Sequence, residues 1–333
     1  MPDFNRVVSI IEKEGFGPFF STSLHYMRNK LKGGYSNRER VEAVSGLLRP
    51  AFSQWFNYRY HAGDQVMGKD WDTLVILDAC RFDTFQDVND LDGTLSKSIS
   101  CGADSPRFLD GNFRNETFHD TVYVTANPHV SRLGEDVFFY VDDAPVSNWD
   151  SELQCVPPEV VTDAAKSAHE SYPNKRLIVH YMQPHDPPIG PIGQAIREEM
   201  DIAGPTPESA NTDTGERIMR AVSRGEVSVE RAMRAYEETL QVVLEETDEL
   251  ARAVDGKTVV TADHGEHFGE KYPILGKLYE HFRHPRTPEL CVVPWFTVDD
   301  GCERRRVTED EPVGSDRISQ SDVADQLEAL GYK

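Results

Sequence analysis

The chain has 333 residues, 38% of them hydrophobic, and a formal net charge of −22 at pH 7. That length buries one large core or two modest ones, and so acidic a body with no basic stripe beyond residue 60 excludes a nucleic-acid binder. The charge is uneven: residues 1–60 hold nine Lys/Arg against five Asp/Glu, which leaves −26 for the remainder. Dispersed acids, with Arg outnumbering Lys, form the halophile pattern of a protein kept soluble at high salt. Cys80, Cys101, Cys155, Cys291 and Cys302 are odd in number and show no CxxC spacing, so a reducing compartment is expected rather than a disulfide framework. Glu12, Lys13 and Glu14 interrupt any apolar leader segment, and no window reaches the length of a membrane span, so the expected location is cytoplasmic.

Residues 1–66 read as a helical N-terminal extension. Val7, Ile10, Ile11, Phe19, Phe20, Leu24, Met27 and Leu31 recur at near-helical spacing, broken by Gly15, Gly17, Pro18, Gly33 and Gly34. Such a layer packs on the core; its basic excess also suits peripheral contact with an anionic membrane. The pattern changes within residues 67–300. Thr73–Leu77, Val122–Thr125, Leu177–Tyr181 and Thr258–Thr261 are short, nearly continuous apolar runs rich in β-branched residues, as in parallel strands covered on both faces. Val227–Val254 has the apolar spacing of a long helix and stops at Asp255-Gly256. Residues 187–226, rich in Pro, Gly, Thr and Glu, read as an insertion or lid, and residues 301–333 as a tail with a short helix over Ile318–Leu330. Strands alternating with helices predict an α/β fold with a doubly wound, mostly parallel sheet.

In such sheets ligands bind at the carboxyl ends of the strands. Three of the predicted strands end in metal-type or acid/base residues: Asp78 after the first, Pro184-His185-Asp186-Pro187 after the third, and Asp263-His264-Gly265 after the fourth. Asp78 alone reads equally as a helix cap and His185 alone as a loop histidine; together they predict a site. Adjacent oxygen and nitrogen ligands suit one or two divalent ions such as Zn, Mn, Ca or Mg. Ser105, before Pro106 at a predicted helix start, is the candidate nucleophile, although Ser in that place is also an ordinary cap. Arg81 and Arg107, close in sequence to Asp78 and Ser105, are candidates to face an anionic ester, against the simpler reading of surface ion pairs. Asn127 follows a strand and is a candidate substrate contact or a turn residue. Glu266 and His267 are candidates to orient the ligands.

Together these segments resemble the sulfatase-like branch of the alkaline phosphatase superfamily, over about residues 70–298. The carriers are Asp78, Ser105, Pro184-His185-Asp186-Pro187, Asp263-His264-Gly265 and the return to an apolar strand through Val293-Pro294. The resemblance implies that Asp78, Asp263 and His264 hold the metal, that Ser105 bridges it, and that His185 meets the ester or leaving group. It makes His284, Asp186 and Cys101 further candidates for metal or substrate, with His180 and His281 as additional ligands for a second ion. Two departures are informative. Cys101-Gly102-Ala103 begins the sulfatase Cys-x-Pro/Ala-x-Arg pattern, but Ser105 stands where Arg belongs and Arg107 comes two places late. Ala79 also replaces the second aspartate of the pair common in sulfatases. The implied activity is metal-dependent hydrolysis or transfer of a phosphate or sulfate ester through a covalent intermediate, with a small-molecule or glycan ester as partner. The alternatives are a phosphomutase or phosphoglycerol-type transferase, and an inactive relative binding an anionic glycan or lipid head group.

Overall fold

The computed structural model describes residues 45, 49, 52–200, 217–272, 275–298 and 307–316. Its main sheet contains β1 (Thr73–Asp78), β2 (Gly93–Ile99), β3 (Phe118–Thr125), β4 (Phe138–Asp142), β5 (Arg176–Pro184), β6 (Thr258–Ala262), β9 (Val292–Val298) and β10 (Gly314–Asp316). The order across the sheet is β10-β4-β3-β5-β1-β6-β9-β2. From β10 to β6 neighbours run parallel; β9 joins β6 antiparallel, and β2 joins β9 antiparallel. The mostly parallel α/β sheet expected from the strand–helix alternation is therefore present. A separate two-stranded hairpin, β7 (His267–Tyr272) with β8 (Gly276–Glu280), follows β6.

β1 forms the centre, flanked by β5 and β6, and all six of its residues are buried. Alternation along the strand divides its side chains between two cores. Val75 and Leu77 face a cluster with Val161 and Ala165 of α3 (Pro158–Ser171) and Leu240 and Val243 of α6 (Val229–Ala253). Leu74 and Ile76 face the opposite cluster with Phe108, Leu109 and Phe113 of α2 (Ser105–Phe113). A strand with helices on both faces has no solvated side, which explains its continuous apolar run.

The four expected strands occur, each extended by one or more residues. The expected long helix is α6, with the Ser228 hydroxyl accepting from the Arg231 N–H as its cap. β2 and β4 were not among the expected strands. β2 lies at the sheet edge with Gly93, Thr94, Ser96 and Lys97 exposed, so it carries little apolar periodicity. Within the expected insertion stand α4 (Pro191–Glu199) and α5 (Ile218–Arg224). α1 (Phe82–Val88) follows β1, and the one-turn α7 (Pro288–Cys291) leads into β9. Residues 52–60 are helical, and Phe56 packs with Ile99, Ala103, Leu290 and Cys291. Most of the expected N-terminal extension and the helix at 318–330 lie outside the described residues. Among the described residues, no helix is long and apolar enough to cross a membrane.

Candidate metal and ester site

Register builds the site. Leu77 pairs with Ala262, so the next residues, Asp78 and Asp263, emerge side by side at the carboxyl ends of β1 and β6. The chain then turns sharply at Ala79, whose φ of 60° is unusual for a residue with a Cβ. Two contacts hold that turn. The Ala79 N–H donates to Asp263 Oδ1 at 3.1 Å, and the Tyr236 hydroxyl of α6 donates to the Ala79 carbonyl at 2.6 Å. After His264 the backbone passes against α7: Gly265 N–H donates to the Leu290 carbonyl at 2.8 Å, and a Cβ on Gly265 would strike the Glu289 carbonyl oxygen. The glycine of Asp-His-Gly is required by this close approach.

Asp78, Asp263 and His264 each offer one ligand atom, all within 4.8 Å of one another and all buried. His264 Nε2 lies 3.5 Å from Asp78 Oδ1 and 3.6 Å from Asp263 Oδ2. Ser105 Oγ lies 3.4 Å from Asp78 Oδ2 and 3.4 Å from His264 Nε2. Ligand atoms about 2.0–2.1 Å from a tetrahedral ion stand roughly 3.3–3.4 Å apart, so these spacings are close to those of a metal shell. Asp78 Oδ1 and Asp263 Oδ2 are buried acceptors without a hydrogen-bond partner, which is costly unless a cation faces them. His264 Nδ1 lies 2.8 Å from the Gly265 carbonyl and donates there, which leaves the Nε2 lone pair directed into the cluster. The two carboxyls are driven apart electrostatically. Burial, then the charges of Asp263 and Glu266, push Asp78 well above the ordinary carboxylate range. Burial also acts to raise Asp263, but the imidazoles of His264 and His180 overcome it and hold Asp263 below that range. The residues present thus fit a divalent cation.

A second group adjoins the first. His185, Glu266 and His281 also offer ligand atoms within 4.8 Å of one another, all buried. The His281 ring lies 4.5 Å from that of His264 and 5.2 Å from that of His185, and His281 Nδ1 is 3.2 Å from Glu266 Oε2. Burial pushes Glu266 up to about 7. Burial, with His281, Arg217 and His264 beside it, pushes His185 well below the usual imidazole value, so its ring is neutral. A neutral imidazole suits metal ligation better than proton donation at neutral pH. Sequence reasoning gave Glu266 and His281 auxiliary places; the position of Glu266 just after Asp263-His264 was a signal for a larger one, whereas His281 follows β8, which carries no clear strand pattern.

The other candidates are distributed differently. Arg81 is taken up by structure rather than by a substrate: it donates to both oxygens of Asp83, to Glu270 and to the Glu266 carbonyl. Asn127 is engaged within the cluster: its Nδ2 donates to Asp78 Oδ2 at 2.9 Å and its Oδ1 accepts from the His129 N–H. Asn127 therefore orients Asp78, turning the other carboxylate oxygen to the cluster. The Cys101 thiol packs on α2, near the Phe108 carbonyl and Asn112, and burial pushes it up to about 11, which makes it a poor nucleophile. Neither metal-type group contains Cys101, Asp186 or His284. Asp186 is pushed up to about 6 by burial. His284 is half-buried and held down to about 4 by burial and by Arg49, Arg107 and Arg283. Arg107 pairs with Asp104, the cap of α2, and stays partly exposed. His180 Nδ1 lies 2.8 Å from the Tyr123 hydroxyl, and its Nε2 lies 3.7 Å from Asp263 Oδ2. The His267 ring contacts Glu270 and Thr287, and its backbone N–H donates to Glu266 Oε1 of the second group at 3.2 Å.

No family model matches the chain, and no curated protein matches it. Its structural neighbours are phosphoethanolamine transferases and sulfatases. The C-terminal periplasmic domain of a phosphoethanolamine transferase from Campylobacter jejuni is similar at 12% identity and a TM-score of 0.38, over 69% of this chain and 79% of that one. The corresponding domain from Escherichia coli, in complex with Zn, is similar at 12% identity and a TM-score of 0.43, over 73% and 76%. A 2-O GAG sulfatase is similar at 10% identity and a TM-score of 0.40, over 70% and 65%. Likenesses this distant decide nothing about the chemistry, which rests on the residues of the site.

Proposed function

We propose that this protein is a metal-dependent hydrolase or transferase of phosphate esters in which Ser105 is the nucleophile. The observation that carries the reading is the position of Ser105 Oγ, buried at the first turn of α2 and 3.4 Å from both Asp78 and His264. Asp78, Asp263 and His264 would hold one divalent ion, and His185, Glu266 and His281 a second. Bound there, a divalent cation supplies charge that favours the seryl alkoxide and offsets negative charge on the ester.

The chain's own residues do the rest. Ser105 Oγ forms a bond to phosphorus as the bond to the leaving oxygen breaks; the hydroxyl proton passes to Asp78 Oδ2, 3.4 Å away, and the leaving group departs as an oxyanion that takes a proton from solvent. Asn127 and Tyr236 keep Asp78 and the Ala79 turn in place. Water or an acceptor hydroxyl then attacks phosphorus and frees Ser105. A phosphate ester is favoured over a sulfate ester because a directly attacking serine is present while Cys101 is tucked away with a raised thiol pKa. The inactive-relative alternative is disfavoured by the intact grouping of hydroxyl, carboxylates and imidazole.

The test is metal analysis of the purified protein together with turnover of chromogenic phosphate monoesters, phosphate diesters and sulfate esters. Metal-dependent turnover that Ser105→Ala abolishes, with Cys101→Ala active, is expected. Turnover that survives Ser105→Ala and fails in Cys101→Ala would overturn the assignment.

A further inference from the structure

The molecule is acidic as a whole, yet the rim beside Ser105 is basic. Arg107 stands in the first turn of α2, two positions after Ser105, with 27% of its side chain exposed. The segment after β8 carries His281 into the second metal-type group and then turns outward with exposed Arg283 and half-buried His284. Arg286 ties this segment to the loop that enters α2, donating to the Ala62 carbonyl at 2.6 Å and to the Ser100 carbonyl. Phe52 packs against the cluster of Leu275, Leu278 and Phe282, and the exposed, helical Arg49 lies three positions before Phe52. The groups feel one another: Arg49, Arg107 and Arg283 all act on His284, and Arg283 and Arg132 both act on Arg107.

Neutralisation of this rim is incomplete. Asp104 is already engaged by Arg107, and Asp110 is shared by Arg114 and Arg132. Among the described residues no carboxylate forms an ion pair with Arg49 or Arg283. In a chain of net charge −22, Arg49 and Arg283, which pair with no carboxylate among the described residues and both act on His284, Arg283 also on Arg107, need a reason. Like charges gathered at a site mouth raise the local potential for an anion, and guanidinium groups suit phosphate, sulfate and carboxylate oxygens.

We infer that Arg49, Arg107, Arg283 and His284 bind a second anionic group on the substrate. The substrate is then a small molecule with two anionic groups: the ester that meets Ser105 and another phosphate, sulfate or carboxylate held at the rim. This rests on the ester chemistry proposed for Ser105 and narrows its substrate class.

Inhibition of turnover of a chromogenic monoester, at saturating metal, measures the preference. The probes are alkyl phosphates and α,ω-alkanediol bisphosphates of increasing chain length. The best bisphosphate is expected to inhibit about tenfold more strongly than the matching monophosphate, the size of one charge-assisted contact. In the double variant Arg49→Gln/Arg283→Gln that preference falls to about twofold, the statistical factor for two equal ends, and the melting temperature stays close to that of the wild type because both side chains are exposed. A preference of no more than about twofold in the wild type, the statistical factor alone, overturns the inference. So does the absence of a preference combined with loss of binding to phosphatidylglycerol vesicles in the double variant, which assigns the rim to a membrane. If no ester is turned over, the proposed function fails on its own. The rim is then read by thermal shift, where stabilisation by bisphosphate but not monophosphate upholds it and equal shifts overturn it.

Discussion

Asp78→Asn offers the sharpest test of the first metal group, because it should stabilise the metal-free protein while removing its response to metal. The ligand atoms of Asp78 and Asp263 lie within 4.8 Å of each other, in a buried setting. Two negative charges at that separation repel by about 3–4 kcal/mol at an effective dielectric constant near 20. Asp78 relieves part of this by holding its proton to higher pH. A carboxyl whose folded pKa is raised adds stability below its unfolded pKa and loses it as pH rises through the folded value. At neutral pH the metal-free wild type therefore carries a penalty that an uncharged amide lacks. For a chain of 333 residues the unfolding entropy is about 0.7 kcal/mol per degree. The metal-free variant should then melt higher, by up to about 6 °C.

Metal at a hundredfold excess over its dissociation constant stabilises the wild type by about 2.7 kcal/mol per site, or about 4 °C. The variant should lose one such increment, and its bound metal should fall by one ion per chain. Differential scanning fluorimetry with Zn and Mn titrations, together with elemental analysis, reads both arms. A variant that melts lower without metal and binds as many ions as the wild type refutes the reasoning.

Ser105→Ala should reduce ester turnover at least about 10³-fold, with metal content unchanged. Stability should fall by no more than about 1 kcal/mol because Asp104, and not Ser105, caps α2; circular dichroism melts and single-turnover assays check this pair of outcomes. Asn127→Ala should weaken metal binding by roughly 10- to 100-fold, the usual effect of removing a group that orients a ligand, as read by competition with a chelating dye. Glu270 is held down to about 2: burial acts to raise it, but His267 and Arg81 outweigh that. Its contribution to stability is present above about pH 4.5 and lost as pH falls towards 2. Glu270→Gln should therefore destabilise the protein at pH 7, and the difference from wild type should shrink in acid denaturation curves.

How far the sequence revealed the site depended on how local each signal was. β1, β5 and β6 are buried on both faces, so they appear as unbroken apolar runs, and the residues at their ends stand out. Asp78, Asp263 and His264 were legible for that reason, and the structure brings them together. The hairpin β7–β8 was not legible, because His267-Phe268-Gly269-Glu270-Lys271-Tyr272 mixes polar and apolar residues without a clear period. Yet that hairpin delivers His281 to the second group. The duties of Arg81 and Asn127 were equally hidden. Proximity in sequence placed Arg81 near the ester, but Glu270, 189 positions away, claims its guanidinium. Asn127 read as a substrate contact or a turn residue, and its bond to Asp78 spans two strands that are not neighbours in the sheet.

The Ala79–Asp263 hydrogen bond joins residues 184 positions apart. Its span sets an order of events during folding. β1 is made early in translation, whereas β6 comes after α6, so the central pairing waits for most of the chain. Contacts of such sequence separation must overcome loop-closure entropy before they contribute anything, and they form late. Neither metal-type group exists until that pairing closes, so an ion cannot seed the fold; it can only trap a chain that has already threaded β1 between β5 and β6. Metal added during refolding should leave the folding rate unchanged and slow unfolding instead.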